Sequence, residues 1–203
     1  MVRAVTVLGL LAVLAGCVTA PQRPADREAQ WAQRQSILSQ QTHWTLTGKL
    51  AVITNQGGWF AGLRWLQDGK QFQIDLMDSF GRVVVRIKGG KTGVTLIQHD
   101  GSIVSAPNAQ LLMRELYGWA LPISGLKYWV LGIPDPDRNV KNRARHRRLD
   151  AYGRLAELEQ AGWTVDYKDY QNLSPVDLPG KIAVSGHNLR AKLVVEDWEL
   201  AGA

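Results

Sequence analysis

Few side chains in this sequence are spaced to do chemistry, and the most distinctive is a lone thiol. Cys17 is the only cysteine in 203 residues, so no disulfide can form within the chain. Ahead of it lie Arg3, an almost unbroken apolar stretch from Ala4 to Val13, and the small pair Ala15-Gly16. Roughly ten apolar residues have the proportion of a signal-peptide core and fall short of the ~20 that a membrane-spanning helix needs. Other chemistry finds little support. His43, His99, His146 and His187 lie far apart, with no His-x-x-x-His or Glu-x-x-His spacing. Without further thiols a zinc site is poorly founded, and no metal is expected. Ser102 and Ser185 have glycine neighbours but sit in no Gly-x-Ser-x-Gly elbow. Asp135 and Asp137 lie beside prolines as loop carboxylates, structural rather than catalytic. A Gly-x-x-x-x-Gly-Lys-Ser/Thr loop is absent, so nucleotide hydrolysis is not expected either. The chain is not expected to be an enzyme, a membrane-tethered hydrolase being a minor alternative.

The thiol has its own chemistry. Leu14-Ala15-Gly16-Cys17 resembles the bacterial lipobox. That resemblance implies a diacylglycerol on the thiol, cleavage before it, and acylation of the new amino group, with no other cofactor. Residues 1–16 are then a lipoprotein signal peptide, and 17–25 the lipidated N-terminus and a tether containing Pro21 and Pro24. The alternative is an ordinary secretory signal that happens to contain a cysteine. In Gram-negative lipoproteins an aspartate just after the acylated cysteine commonly means retention in the inner membrane. Val18 stands there, which favours lipid anchoring in the outer membrane, facing the periplasm.

Removal of sixteen residues leaves 187, enough for one domain with a full core and not comfortably two. Residues 26–203 are read as that single domain, held by packing alone. Its apolar content of 45% includes eight tryptophans. The formal charge of +6 suggests anionic lipid head groups or an acidic protein face as partners. An export signal argues against nucleic acid. The domain is expected to act as a monomer.

The elements that position everything else begin with a helix from Asp26, as cap, through Leu38, expected to cover the body with Trp31 and Leu38. From Trp44 the period changes to two: Trp44, Leu46, Gly48, Leu50 and Val52 face one way, Thr45, Thr47 and Lys49 the other. Turns are read at Asn55–Gly58, Asp68-Gly69, Asp78–Gly81, Gly89-Gly90 and Asp100-Gly101, so six short strands form an antiparallel meander. A helix follows from Pro107-Asn108 through Tyr117, then a shorter one over Ser124–Leu131. The basic stretch Asp135–Arg148 has no periodicity and reads as a loop. Four more strands lie near Arg154–Gln160, Trp163–Tyr167, Lys181–Ser185 and Ala191–Trp198. The class is mostly β, an antiparallel, strongly curved sheet of about ten strands closed on its concave side by a helical lid. If helices fill that side imperfectly, an apolar cavity remains.

Gly118-Trp119-Ala120-Leu121-Pro122, Leu126 and Trp129-Val130-Leu131-Gly132-Ile133-Pro134 resemble the LolB family of outer-membrane lipoproteins. So do Gln160–Tyr167, Tyr170, Leu178-Pro179, Trp198, Gly48–Val52 and Trp65, so the likeness spans most of the mature chain. It implies an open, incomplete barrel of eleven strands with a helical lid. It also implies a role: taking acylated lipoproteins from the periplasmic carrier LolA and placing them among outer-membrane phospholipids. Exposing one ~16-carbon chain to water costs roughly 12 kcal/mol at about 0.8 kcal/mol per methylene. Transfer from one apolar cavity to another avoids that cost. The alternative is a lipoprotein whose cavity holds a free lipid and passes nothing on.

As cavity walls the group Trp65, Ile74, Leu76, Leu112, Leu116 and Trp129 is expected, against ordinary core packing for any one of them. The family's turn between the third and fourth strands reads Asn-Pro-Leu-Gly, its exposed leucine implicated in delivery to the membrane. Here the turn is Asp78-Ser79-Phe80-Gly81, with Phe80 in the leucine position and Gly81 keeping the backbone freedom after it. Phe80 and Gly81 are therefore the expected delivery loop, unless Phe80 folds back onto the sheet. Arg143, Arg145, Arg147 and Arg148 are the expected contact for the carrier or for head groups, unless they form a merely solvated loop.

Overall fold

The computed structural model describes residues 24–117, 123–137, 139 and 143–200. The expected signal peptide, Cys17, the tether up to Arg23, and the 118–122 part of the family block lie outside the described residues.

Helix α1 (Pro24–Ser39) is followed by β1 (His43–Thr54), β2 (Gly57–Asp68), β3 (Gln71–Met77), β4 (Val83–Gly90), β5 (Gly93–Gln98) and β6 (Ile103–Ala106). Helices α2 (Ala109–Tyr117) and α3 (Ile123–Trp129) come next, then β7 (Ala144–Leu149), β8 (Leu155–Gln160), β9 (Trp163–Lys168), β10 (Lys181–Gly186) and β11 (Leu189–Leu200). All eleven strands form one antiparallel sheet in the order β6-β5-β4-β3-β2-β1-β11-β10-β9-β8-β7. Each half is a meander, and the long pair β1–β11 joins the halves. The sheet does not close: β6 and β7 are its two edges, and α2 and α3 run in the connection between those edges. Bulges at Thr47/Gly48, opposite β11, and at Leu76/Met77, opposite β4, bend the wall.

The alternation read from Trp44 onward is the inward face: Trp44, Leu46 and Val52 of β1, and Leu63 and Trp65 of β2, are buried. Trp44 packs against Trp65 and Trp198 with ring centroids 5.3 and 5.5 Å apart, so three tryptophans knit the middle of the wall. Helix α1 lies against the body with Trp31 and Leu38 buried. Its buried Arg34 donates to the Asp177 carbonyl, and stacks with Arg154 over Tyr170 at 5.1 and 4.5 Å. Asp150 and Asp177 pair with Arg154, each at 2.8 Å, and so supply charge compensation to that stack.

Three expectations are corrected. Helix α1 starts at Pro24, before Asp26, because a proline in the first turn lacks only an N–H that a helix start cannot use. Gly57, Gly58, Gly89 and Gly90 lie in strands, not in turns. Gly89 is there for space: a Cβ on it would sit 2.3 Å from the Phe72 ring. Part of the expected basic loop is strand β7, paired to β8. Nearly all of β7 is exposed, so it has no apolar alternation to read. Opposite charges across the ladder bind it instead, Arg148 reaching Glu157 at 3.1 Å. Cations along an edge strand also discourage pairing with other chains.

Candidate functional site

The inward faces do not fill the space they enclose. A cavity of about 440 Å³ lies between the wall and the lid, within the ~300–1,000 Å³ typical of ligand sites. Strands β1 to β5 supply Leu50, Val52, Leu63, Trp65, Ile74, Leu76, Ile87 and Leu96, while β10 and β11 supply Ile182, Val184, Ala191 and Leu193. Met113, Ile123, Leu126, Trp129 and Val130 close it from the helical side. Among the described lining residues only Asp78 is charged. Water inside would find almost no hydrogen-bond partners, and hydrocarbon would lose nothing by entering.

Four of the six expected wall residues, Trp65, Ile74, Leu76 and Trp129, meet at this cavity. Leu112 and Leu116 do not line it. Helix α2 packs on β5 and β6, which buries Leu112 completely and Leu116 in part, and presents Met113 to the cavity instead. The β10–β11 side was missed, although Ile182, Val184 and Ala191, Leu193 carry the same inward alternation as Trp65. Trp129 is held by a buried clamp from β8. Its Nε1–H donates to Gln160 Oε1 at 2.8 Å, and the Gln160 amide exchanges hydrogen bonds with the Asp135 backbone at 2.9 and 2.8 Å. The polar tip of the tryptophan is thereby satisfied away from the cavity, leaving its apolar body for the lining. Desolvation pushes the Asp135 carboxyl above its ordinary pKa.

Trp59, Phe60 and Asp78 also line the cavity, and Trp59 and Phe60 are exposed, so the mouth opens beside the β1–β2 tip and the β3–β4 turn. In that turn Phe80 is 85% exposed and does not fold back onto the sheet. Asp78 braces the turn. Its Oδ1 accepts from the Phe80 and Arg82 amides at 2.9 and 3.0 Å, and its Oδ2 pairs with Arg82 at 2.7 Å. The hydrogen bonds from Arg82 hold its pKa below the usual carboxylate range. Gly81 takes φ +79°, where a side chain would be strained. Arg82 stacks over the Phe80 ring at 5.5 Å.

The four arginines are split in their engagement. Arg147 pairs with Glu28 of α1 at 2.8 Å and lies 5.5 Å over Trp31, and Arg148 holds Glu157. Arg143 and Arg145 are exposed and make no ion pair among the described residues. Among the described residues no cluster of metal-ligating side chains exists, and no helix is long and apolar enough to cross a membrane.

A bent sheet wrapped round an apolar pocket, with an apolar side chain held out beside its mouth, defines a class of protein with a site shaped for hydrophobic ligands. The family model for "Outer membrane lipoprotein LolB" matches residues 42–198. The outer-membrane lipoprotein LolB of Nitrosococcus oceani is 37% identical over 196 residues, covering 96% of each chain. That of Cellvibrio japonicus is 36% identical over 210 residues, covering 98% of each. The crystal structure of a LolA superfamily protein from Nitrosomonas europaea shares the fold, with a TM-score of 0.53 over 87% of this chain and 94% of that one at 9% identity. The chain belongs to the LolB family of outer membrane lipoproteins.

Proposed function

We propose that this protein receives acylated lipoproteins from a LolA-like periplasmic carrier, holds their acyl chains in the cavity, and releases them into the outer membrane through the mouth beside Phe80. The observation that carries the reading is the cavity of about 440 Å³ with a single charged residue among its described lining residues. An acyl chain that would cost roughly 12 kcal/mol in water moves between two apolar interiors. The direction of transfer then needs only a receiver that holds the chain better than the donor. The anchor is the lipid on Cys17, so single copies stand on the periplasmic face of the outer membrane. Arg143 and Arg145 are the cations best placed to meet the carrier or head groups, since Arg147 and Arg148 are occupied within the chain. No step of this reading breaks or forms a covalent bond, which is why no catalytic residue is assigned.

The deciding experiment mixes the purified protein with carrier loaded with a labelled lipoprotein. An acceptor strips the carrier and leaves with the label. Label that stays on the carrier, while the protein binds free fatty acid, would show a lipid-holding module that hands nothing on.

A further inference from the structure

The outside of the wall, next to the cavity mouth, carries a feature that the Phe80 turn does not explain. Strand β2 pairs with β3 only from Gly62, opposite Met77, so residues 57–61 project past the end of β3. There Phe60 faces outward and is 79% exposed. It lies directly across from Ala51 of β1, which in turn lies across from Lys192 of β11. One row nearer the tip, Ile53 sits between Gly58 and Arg190 and is also exposed. The small residues Ala51 and Gly62 form the floor of a groove of about 590 Å³ flanked by Phe60, Met77, Lys49 and Lys192. The groove runs to Ser79 and Gly81, in the Phe80 turn.

The charges of this face are unbalanced. Glu196 is taken by Lys49 at 2.9 Å and Asp78 by Arg82 at 2.7 Å. Arg190 and Lys192 make no ion pair among the described residues. An apolar groove bordered by the uncompensated Lys192, with Arg190 one row nearer the tip, complements the interface of an anionic bilayer, phosphate against the cations and acyl carbon against the ring. Phe60 also lines the internal cavity, so one side chain stands between the inner space and the outer groove.

We propose that phospholipid of the receiving leaflet docks in this outer groove, with Phe60 as a second membrane-inserting side chain beside Phe80 and Lys192 and Arg190 holding the head groups. The proposal rests on the delivery reading above and adds to it that the cavity mouth meets hydrocarbon, not water, at release.

The test uses the mature chain, without residues 1–16 and carrying Cys17→Ala, so that neither the apolar leader nor a lipid anchor contributes, sedimented with vesicles of phosphatidylethanolamine and phosphatidylglycerol or of neutral phosphatidylcholine. Phe60→Ser is expected to weaken binding to both vesicle types by about tenfold, the low end of what burying a phenylalanine contributes. Lys192→Glu is expected to weaken binding to the anionic vesicles by about tenfold and leave the neutral ones unchanged. Its uptake of cargo from the loaded carrier, measured without vesicles, should remain. Phe60→Ser binding vesicles as the parent does would overturn the proposal. So would a Lys192→Glu variant that keeps vesicle binding but loses uptake, because the face would then belong to the carrier. A parent that binds vesicles but never strips the carrier defeats the delivery reading alone, leaving the groove standing.

Discussion

Phe80 and Asp75 show what single side chains do in this wall. Phe80 contributes nothing to the core, so Phe80→Glu should leave the fold and cargo uptake intact and abolish transfer of bound cargo to vesicles. Normal transfer by that variant, followed with labelled lipoprotein, would remove the role assigned to the turn. Asp75 is the opposite case, a buried carboxylate on β3 directly across from Arg86 of β4. Desolvation alone would raise its pKa, but hydrogen bonds from Arg86 at 2.6 and 3.0 Å and from Gln73 at 3.0 Å outweigh it and hold the pKa below the usual value. A depressed carboxylate stabilises the fold fully above its unfolded pKa of ~3.9, and loses that contribution as pH falls from there through the folded value. Asp75→Asn should therefore cost about 1–3 kcal/mol at neutral pH. The same variant should show a flatter dependence of stability on pH below about 4, measured by denaturant unfolding at several pH values.

Elements meet where one chain segment leaves room for another. Helix α1 reaches the β7–β8 turn at Gly153, whose φ is +67° and whose added Cβ would stand 2.7 Å from the Arg27 carbonyl oxygen and 2.8 Å from Gln30 Cβ. Gly153→Ala combines backbone strain with that clash. It should destabilise by about 1–3 kcal/mol and loosen α1 before the sheet. Faster hydrogen exchange confined to the α1 amides would report it, and unchanged α1 protection would count against this account of the contact. At the same scale the sequence was only partly legible. Strands β1 to β5 declared themselves by alternation because one face is buried and the other largely exposed. Strand β7 did not, since both of its faces are largely exposed and charge pairing holds it. Gly89 looked like a turn because its real reason for being glycine, the Phe72 ring above it, is on another strand.

For the molecule as a whole the decisive feature is incomplete filling. Ala191 lines the cavity from β11, and a larger side chain there occupies space that the fold leaves vacant. Ala191→Phe should keep the secondary structure, with a stability change within the ~1–3 kcal/mol typical of added core volume, and sharply reduce the amount of lipoprotein taken from the loaded carrier. Uptake equal to the parent would mean that acyl chains do not use this cavity. The open sheet serves the same end: with β6 and β7 as separate edges and helices in the connection between them, lid and wall remain distinct bodies around the cavity.

From sequence alone, period-two alternation, closely spaced turns and the glycine-tryptophan-proline block determined the class of fold and the family. These are local or family-wide signals, carried by a residue and its near neighbours. The tertiary structure alone decided that β1 pairs with β11, that α2 turns Met113 rather than Leu112 to the cavity, and that Phe60 and Lys192 flank one groove. Each of those depends on how much volume distant elements leave unfilled and on which faces they turn toward each other. Such quantities arise only when separated segments are brought together, so no stretch of the chain carries them by itself.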